Sequence, residues 1–229
     1  FRYAVITGRA KHNVAADLRG ALRPRKTVHR AAVLEPEKVG QLLRDIDAYE
    51  GYFPLVCALK LAPLVFTRPT ELRAAQWKEF DLEAGEWRIP AERMKMRRQH
   101  LVPLSRQAMS ILRELQKYSG EGKYLFPSIR TEARSISDAT MLNALRRMGY
   151  QKHEMSVHGF RSIASTLLNE LGYNRDWIER RLAHGEQDEV RAAYNYAEYL
   201  PERRKMMQAW ADYLDGLRNT QQKRSREEA

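Results

Sequence analysis

The sequence predicts a mainly α-helical fold with one small antiparallel β-sheet, and three observations carry that prediction. Apolar residues recur at helical spacing in most of the chain, as in Val39, Leu42, Leu43 and Ile46, or Ala108, Ile111, Leu112 and Leu115. One interval, residues 81–103, changes character: Trp87 and Ile89 alternate with polar neighbours, and Leu101 and Val102 precede Pro103. Hydrophobic residues make up 43% of 229, enough for one large core or two small ones and too many for a disordered chain.

Residues 1–18 read as the end of a helix, followed by Gly20 and the run Arg23-Pro24-Arg25-Lys26. The main domain begins near Leu34. Pro36 suits the first turn of a helix that Gly51 ends, and a buried helix covers residues 52–66. Pro69 opens a short helix carrying Glu71 and Leu72. After the sheet, whose polar hairpin covers residues 94–99, Ser105 and Ser137 are placed to cap two further helices. Helices are also predicted over 158–171, 175–183, 189–199 and 201–217, and the polar residues 219–229 read as a flexible tail. The chain therefore divides into 1–30 (a helix end plus basic linker), 31–218 (the main domain) and 219–229 (the tail). The chain opens at Phe1 inside a helix-like pattern, which predicts a piece of a longer protein.

Lys and Arg total 40 against 29 acids, a formal charge of +11. That balance favours a polyanionic partner, since each phosphate neutralised releases condensed counterions, although a basic surface also serves solubility alone. From Arg2 to Arg30 there are eight basic residues and one acid, Asp17. Such a segment fits a linker lying along a phosphate backbone through Arg23, Arg25 and Lys26, or a solvated linker with no partner. The single cysteine, Cys57, sits in an apolar run and cannot form an internal disulfide, which points to a reducing cytoplasm. Lys60 and Pro63 interrupt the best candidate for a membrane span. No Asp, Glu, Cys or His cluster has metal-ligand spacing, so no metal and no cofactor are expected.

Several residues are suited to chemistry on a phosphodiester. That reaction needs a nucleophile, cations on the non-bridging oxygens, an acid for the leaving oxygen and a base for the nucleophile. His158-Gly159-Phe160-Arg161 places an imidazole and a guanidinium three apart at a helix start, where an anion is favoured. Arg68 precedes Pro69 at another helix start, with Glu71 three residues on. Lys95 lies in the basic hairpin Arg93-Met94-Lys95-Met96-Arg97-Arg98, in which Arg93, Arg97 and Arg98 are candidate DNA contacts. His184 follows Leu182-Ala183, and Tyr194 stands in Ala192-Ala193-Tyr194-Asn195-Tyr196. Singly, each has a bland alternative in helix packing or a solvated face.

Their order, Arg68, Lys95, His158-x-x-Arg161, His184, Tyr194, resembles the tyrosine recombinases, or phage-type integrases, over residues 34–217. Local matches include Phe66-Thr67-Arg68-Pro69-Thr70-Glu71-Leu72, Lys95 followed by His100-Leu101-Val102-Pro103-Leu104-Ser105, the His-Gly-Phe-Arg box, and Leu182-Ala183-His184. Arg191-Ala192-Ala193-Tyr194-Asn195 and Met206-Met207-Gln208-Ala209-Trp210 point to the integrases of phages and genomic islands.

The resemblance implies the tyrosine-recombinase catalytic-domain fold over 31–218, with 1–30 as the remnant of a core DNA-binding domain plus basic linker, and a site-specific recombinase of bacterial cytoplasm, acting at the nucleoid. In it Arg68 and Arg161 would clamp the scissile phosphate. Lys95 would protonate the leaving 5′-oxygen, His158 would assist proton transfer, and His184 would bond the phosphate. Tyr194 would attack phosphorus to give a 3′-phosphotyrosine, with Glu71 in support. It further implies double-stranded DNA bearing an attachment site as partner, a tetramer on that DNA, and accessory excision or host DNA-bending proteins.

Two positions depart from the family pattern: Thr70 stands where a glycine is usual, and Tyr196 where an arginine is frequent. Chromosome-dimer resolution or DNA inversion would use the same six residues. A DNA-binding regulator without catalysis and a metal-dependent nuclease are the rivals from other classes. The helix at 201–217 has an apolar face of Met206, Trp210 and Leu214 that either packs on its own domain or docks on a neighbouring subunit.

Overall fold

The computed structural model describes residues 1–18, 21, 31–95, 97–183 and 199–227, with side chains as far as Thr220. The described elements are α1 (Arg2–Ile6), α2 (Pro36–Ala48), α3 (Phe53–Val65), α4 (Pro69–Arg73), β1 (Phe80–Asp81), β2 (Glu86–Ile89), β3 (His100–Pro103), α5 (Arg106–Ser119), β4 (Pro127–Ser128), β5 (Thr131–Ser135), α6 (Asp138–Arg147), α7 (Gly159–Glu170), α8 (Arg175–Arg181) and α9 (Leu200–Glu227). Short 3-10 turns at Ala16–Leu18, Trp77–Glu79 and Ala91–Arg93 complete them. The fold is the mainly helical one the sequence predicts, with the sheet where the alternation placed it.

The centre is α3. Apart from Lys60, which pairs with Asp47, it is apolar, with Leu55, Ala58, Leu59, Leu61, Leu64 and Val65 all buried, because α2, α5, α6, α7 and α9 surround it. Pro63 lies inside this helix and near its end. The last carbonyls of a helix lack intrahelical partners, and Trp210 of α9 supplies one by donating its indole N–H to the Pro63 carbonyl at 2.9 Å. Phe66 then ends the helix in a left-handed conformation (φ 28°, ψ 41°) that reverses the chain toward Arg68.

Strands β1, β2 and β3 form an antiparallel sheet in that order, with Trp87 opposite Val102 and Ile89 opposite His100. The odd residues of β2 face the core, where Phe80 stacks on Trp87 at 5.0 Å. Ser105 caps α5 by accepting from the Ala108 N–H, and Ser137 forms a capping box with Thr140 at α6.

Helix α9 lays Met206, Met207, Trp210, Ala211 and Leu214 against its own domain, chiefly on α2, and Arg203 and Arg204 tie it to the sheet through the Leu101 carbonyl and Glu86. Its backbone runs helical to Glu227, beyond the end at Leu217 that the sequence predicts. Two further differences stand out. The helix expected over residues 1–18 is confined to Arg2–Ile6, because the chain turns at Thr7 and Gly8, the latter at φ +70°. The hairpin β4–β5 was not foreseen, since its second strand is almost wholly exposed and carries no alternating apolar pattern. The helix predicted over 189–199 falls almost wholly outside the described residues. Among the described residues, no helix is long and apolar enough to cross a membrane.

Candidate active site

Arg68 is the N-cap of α4, and Glu71 is its third residue. The Glu71 carboxylate, 2% exposed, takes the Arg68 backbone N–H on Oε2 at 2.9 Å and the guanidinium on Oε1 at 2.7 Å. One buried carboxylate thereby fixes both the start of the helix and the direction of its cation. Thr70, the departure from the family pattern, is exposed in the first turn and leaves this cap intact.

Arg161 is reached from another direction. His158 is the N-cap of α7, so Arg161 falls in the first turn with its side chain turned back into the protein. It donates to the Phe66 carbonyl at 3.0 Å and to the Leu182 carbonyl at 2.7 Å. Burial, with the neighbouring Arg68 guanidinium as the next cause, lowers its pKa from 12.5 to about 10, so it stays cationic at neutral pH. Arg68 meets the same stretch one residue on, donating to the Ala183 carbonyl at 3.2 Å. The two arginines of the sequence pattern are thus brought together, 93 positions apart in the chain, on consecutive carbonyls at the end of α8.

The backbone supplying those carbonyls is bent. Phe66 (φ 28°) and Ala183 (φ 49°) both adopt the left-handed region that side chains larger than glycine disfavour. Gly159 is required for a different reason: a Cβ there would lie 2.7 Å from the Ala31 carbonyl oxygen and 2.8 Å from the Met155 sulfur. The close approach lets Ser156 bind the Ala31 carbonyl through both its N–H and its hydroxyl, so the segment after the basic linker is pinned beside His158. A cavity of about 540 Å³ opens there, lined by His158, Arg161, Ser162, Ser165, Ala31 and Leu182 among others.

Lys95 is exposed in the turn between β2 and β3, and Arg97 and Arg98 beyond it are exposed as well. Arg93 departs from the expectation of a DNA contact. Its guanidinium is turned inward, pairing with Glu79 and donating to the Glu71 carbonyl at 2.6 Å. His184, Tyr194, Tyr196, Arg23, Arg25 and Lys26 lie outside the described residues. The Leu182 and Ala183 carbonyls that the arginines hold immediately precede His184.

Three buried groups around this site escaped the reading of the sequence. His100 on β3 bonds the Arg181 carbonyl at 3.0 Å, and burial followed by the charges of Arg181 and Arg203 holds its pKa well below 6.5. Arg181 is wholly buried, with its guanidinium over the Phe66 ring at 4.3 Å and its Nε 3.3 Å from the Met207 sulfur. Arg203 is buried against the Leu101 carbonyl. A signal was present for Arg203, which falls on the apolar stripe of Met206, Met207, Trp210 and Leu214. Arg181 likewise follows Ile178 at helical spacing.

Chemically, two guanidiniums held by carbonyl oxygens and one carboxylate are groups that can donate to a tetrahedral oxyanion. His158 shares the cavity with one of them, as a proton carrier would. Among the described residues, no group of three or more His, Cys, Asp or Glu side chains is arranged to hold a metal ion.

Comparison with known proteins places the chain in a family. Residues 32–200 match the model of the phage integrase family. The integrase of Enterobacteria phage P4 is 44% identical over 95% of this chain and 53% of its own length. The integrase of Shigella phage Sf6 is 36% identical over 94% of this chain and 56% of its own. The chain therefore spans about half the length of the curated relatives it matches. Solved structures with the same fold include a λ integrase dimer bound to a core site (18% identity, TM-score 0.59, 81% of this chain and 68% of that one). Another is the Tn1549 transposon integrase with transposon right end DNA (13% identity, TM-score 0.61, 89% and 74%). This chain belongs to the phage integrase family of tyrosine recombinases.

Proposed function

We propose that this chain is the catalytic domain of a site-specific DNA integrase that cuts and rejoins DNA through a 3′-phosphotyrosine. The observation that carries the reading is the convergence of Arg68 and Arg161 on the carbonyls that lead into His184 and Tyr194. In this reading both guanidiniums bind the non-bridging oxygens of the scissile phosphate and stabilise the charge that builds there. The Tyr194 oxygen bonds phosphorus as the bond to the 5′-oxygen breaks. The phenolic proton passes toward His158, Lys95 protonates the departing oxygen, and His184 bonds the phosphate. A 5′-hydroxyl from a partner strand reverses the step, so the ester linkage preserves bond energy without ATP or a metal.

The partners proposed are double-stranded DNA with an attachment site, three further copies in a tetramer, and accessory excision or host bending proteins in the bacterial cytoplasm. Support for DNA comes from the +11 charge and from solved structures of the same fold that hold DNA, a λ integrase dimer on a core site and a λ integrase tetramer on a Holliday junction. Integration and excision of a mobile element is favoured over dimer resolution because the similar phage proteins are integrases.

The test is relaxation of supercoiled plasmid in EDTA by the full-length protein. Relaxation with an SDS-resistant protein–DNA complex supports the reading. Activity that EDTA abolishes would replace it with a metal-dependent nuclease, and binding with no strand passage would leave a regulator.

A further inference from the structure

The hairpin that carries Lys95 is joined to the helix that carries Arg68 through one side chain, that of Arg93. Arg93 closes the 3-10 turn after β2, and its side chain is 17% exposed. One end of its fork meets the carboxylate of Glu79, a buried group that also accepts the indole N–H of Trp87 at 3.0 Å. The other end donates to the backbone carbonyl of Glu71 at 2.6 Å. Glu71 in turn holds Arg68 through its carboxylate. The path from the phosphate-binding arginine to the hairpin is therefore Arg68, Glu71, Arg93, and Lys95 stands two residues further. Met94, between Arg93 and Lys95, is buried in the core. The two residues before Lys95 are thus anchored while its own side chain is exposed.

We propose that Arg93 is a positioning residue for the general acid: it sets the distance between the Lys95 ammonium and the phosphate clamp at Arg68. The proposal rests on the assignment of Lys95 as the acid. In that step the P–O5′ bond breaks as the tyrosine oxygen bonds phosphorus, and the 5′-oxygen takes a proton from the ammonium, leaving a neutral amine that is reprotonated on religation. An acid acts only within hydrogen-bond reach of the leaving oxygen, and a misplacement of about 1 Å costs roughly 10²-fold. An arginine suits this joint because its planar fork binds two acceptors in fixed relative directions. A lysine keeps the charge facing Glu79 without that geometry.

The experiment measures single-turnover cleavage by the full-length protein on two duplexes, one natural and one with sulfur in place of the bridging 5′-oxygen. A thiolate leaves unprotonated near neutral pH, so the sulfur substrate needs no acid. Arg93→Lys is the main variant. Glu79→Gln is the second, since it keeps an acceptor for Trp87 and loosens Arg93 without removing it. Lys95→Ala should lose roughly 10²–10⁴-fold on oxygen and recover on sulfur. Arg93→Lys and Glu79→Gln should lose roughly 10–10²-fold on oxygen and return to within about threefold of wild type on sulfur. Arg161→Ala, which removes a phosphate contact, should be impaired on both.

If Lys95→Ala recovers on sulfur and the Arg93 and Glu79 variants do not, Arg93 serves folding or DNA contact and the proposal fails alone. If Lys95→Ala itself does not recover, Lys95 is not the acid and both readings fall.

Discussion

Arg68 and Arg161 donate to adjacent backbone carbonyls, those of Ala183 and Leu182, at 3.2 and 2.7 Å. Two like charges placed side by side repel, and here the carbonyl dipoles and the Glu71 carboxylate offset the repulsion before any phosphate arrives. The same contacts hold the two carbonyls that immediately precede His184 in the sequence. In the proposed reading, the pair of side chains that binds the phosphate is also the pair that fixes the backbone at Leu182 and Ala183.

Arg161→Lys should lower the cleavage rate roughly 10²–10³-fold with DNA affinity nearly unchanged, because a point charge replaces a fork aimed at the phosphate. Arg161→Ala should add a loss of stability of about 2 kcal/mol, since the buried Phe66 and Leu182 carbonyls lose their donors. Urea midpoints and single-turnover rates on the same preparations separate the two effects.

Glu71→Gln keeps an oxygen for the Arg68 N–H and removes the charge that orients the guanidinium. Cleavage should fall on the order of tenfold while the melting temperature drops by only a few degrees. Glu71→Ala, which removes cap and partner together, should cost about 2 kcal/mol of stability. Calorimetry of the three proteins side by side measures the difference.

Arg181 offers a gain. Its two terminal amines are buried with no hydrogen-bond partner among the described residues, and burial followed by the charges of Arg203 and Arg161 depresses its pKa well below 12.5. Replacing a buried unpaired cation by an apolar chain of similar length removes a desolvation penalty. Arg181→Met should raise the unfolding free energy by about 1–4 kcal/mol, read as a higher urea midpoint at constant slope. A fall would mean that the stacking over Phe66 outweighs the burial of charge.

His100 gives the fold a pH dependence. Its Nε2 lies 3.0 Å from the Arg181 carbonyl, which can only accept, so Nε2 carries the proton, and the depressed pKa keeps the ring neutral at pH 7. The folded pKa is depressed, so the unfolded chain binds the extra proton below about 6.5 and stability falls with acidification from that value downward. This one group should cost about 1 kcal/mol between pH 6.5 and 5.5 and nothing between pH 7.5 and 8.5. His100→Gln should flatten that part of the stability profile, as urea titrations at each pH would show.

The parts of the fold legible in the sequence are those fixed by local chemistry. Ser105 and Ser137 announce their helices through caps formed three residues away, and Trp87 and Ile89 show a strand by alternation. The hairpin β4–β5 gives no such sign, because Thr131, Glu132, Ala133 and Arg134 are all exposed and nothing apolar marks a face. The site divides in the same way. Arg68 with Glu71, and His158 with Arg161, are neighbours at helical spacing and can be paired on paper. That Arg161 rests on Phe66 and Leu182, or that Arg93 turns inward to Glu79, depends on contacts between distant segments that no local pattern encodes.

The most direct test of the proposed chemistry is covalent capture of the full-length protein on a nicked duplex that releases the cleaved strand, followed by peptide mapping of the SDS-resistant adduct. Wild-type protein and Tyr196→Phe should both be trapped, with the nucleotide on the peptide containing Tyr194, while Tyr194→Phe gives no adduct. An adduct that persists in Tyr194→Phe, or one that maps to Tyr196 or Tyr199, would contradict the assignment of the nucleophile.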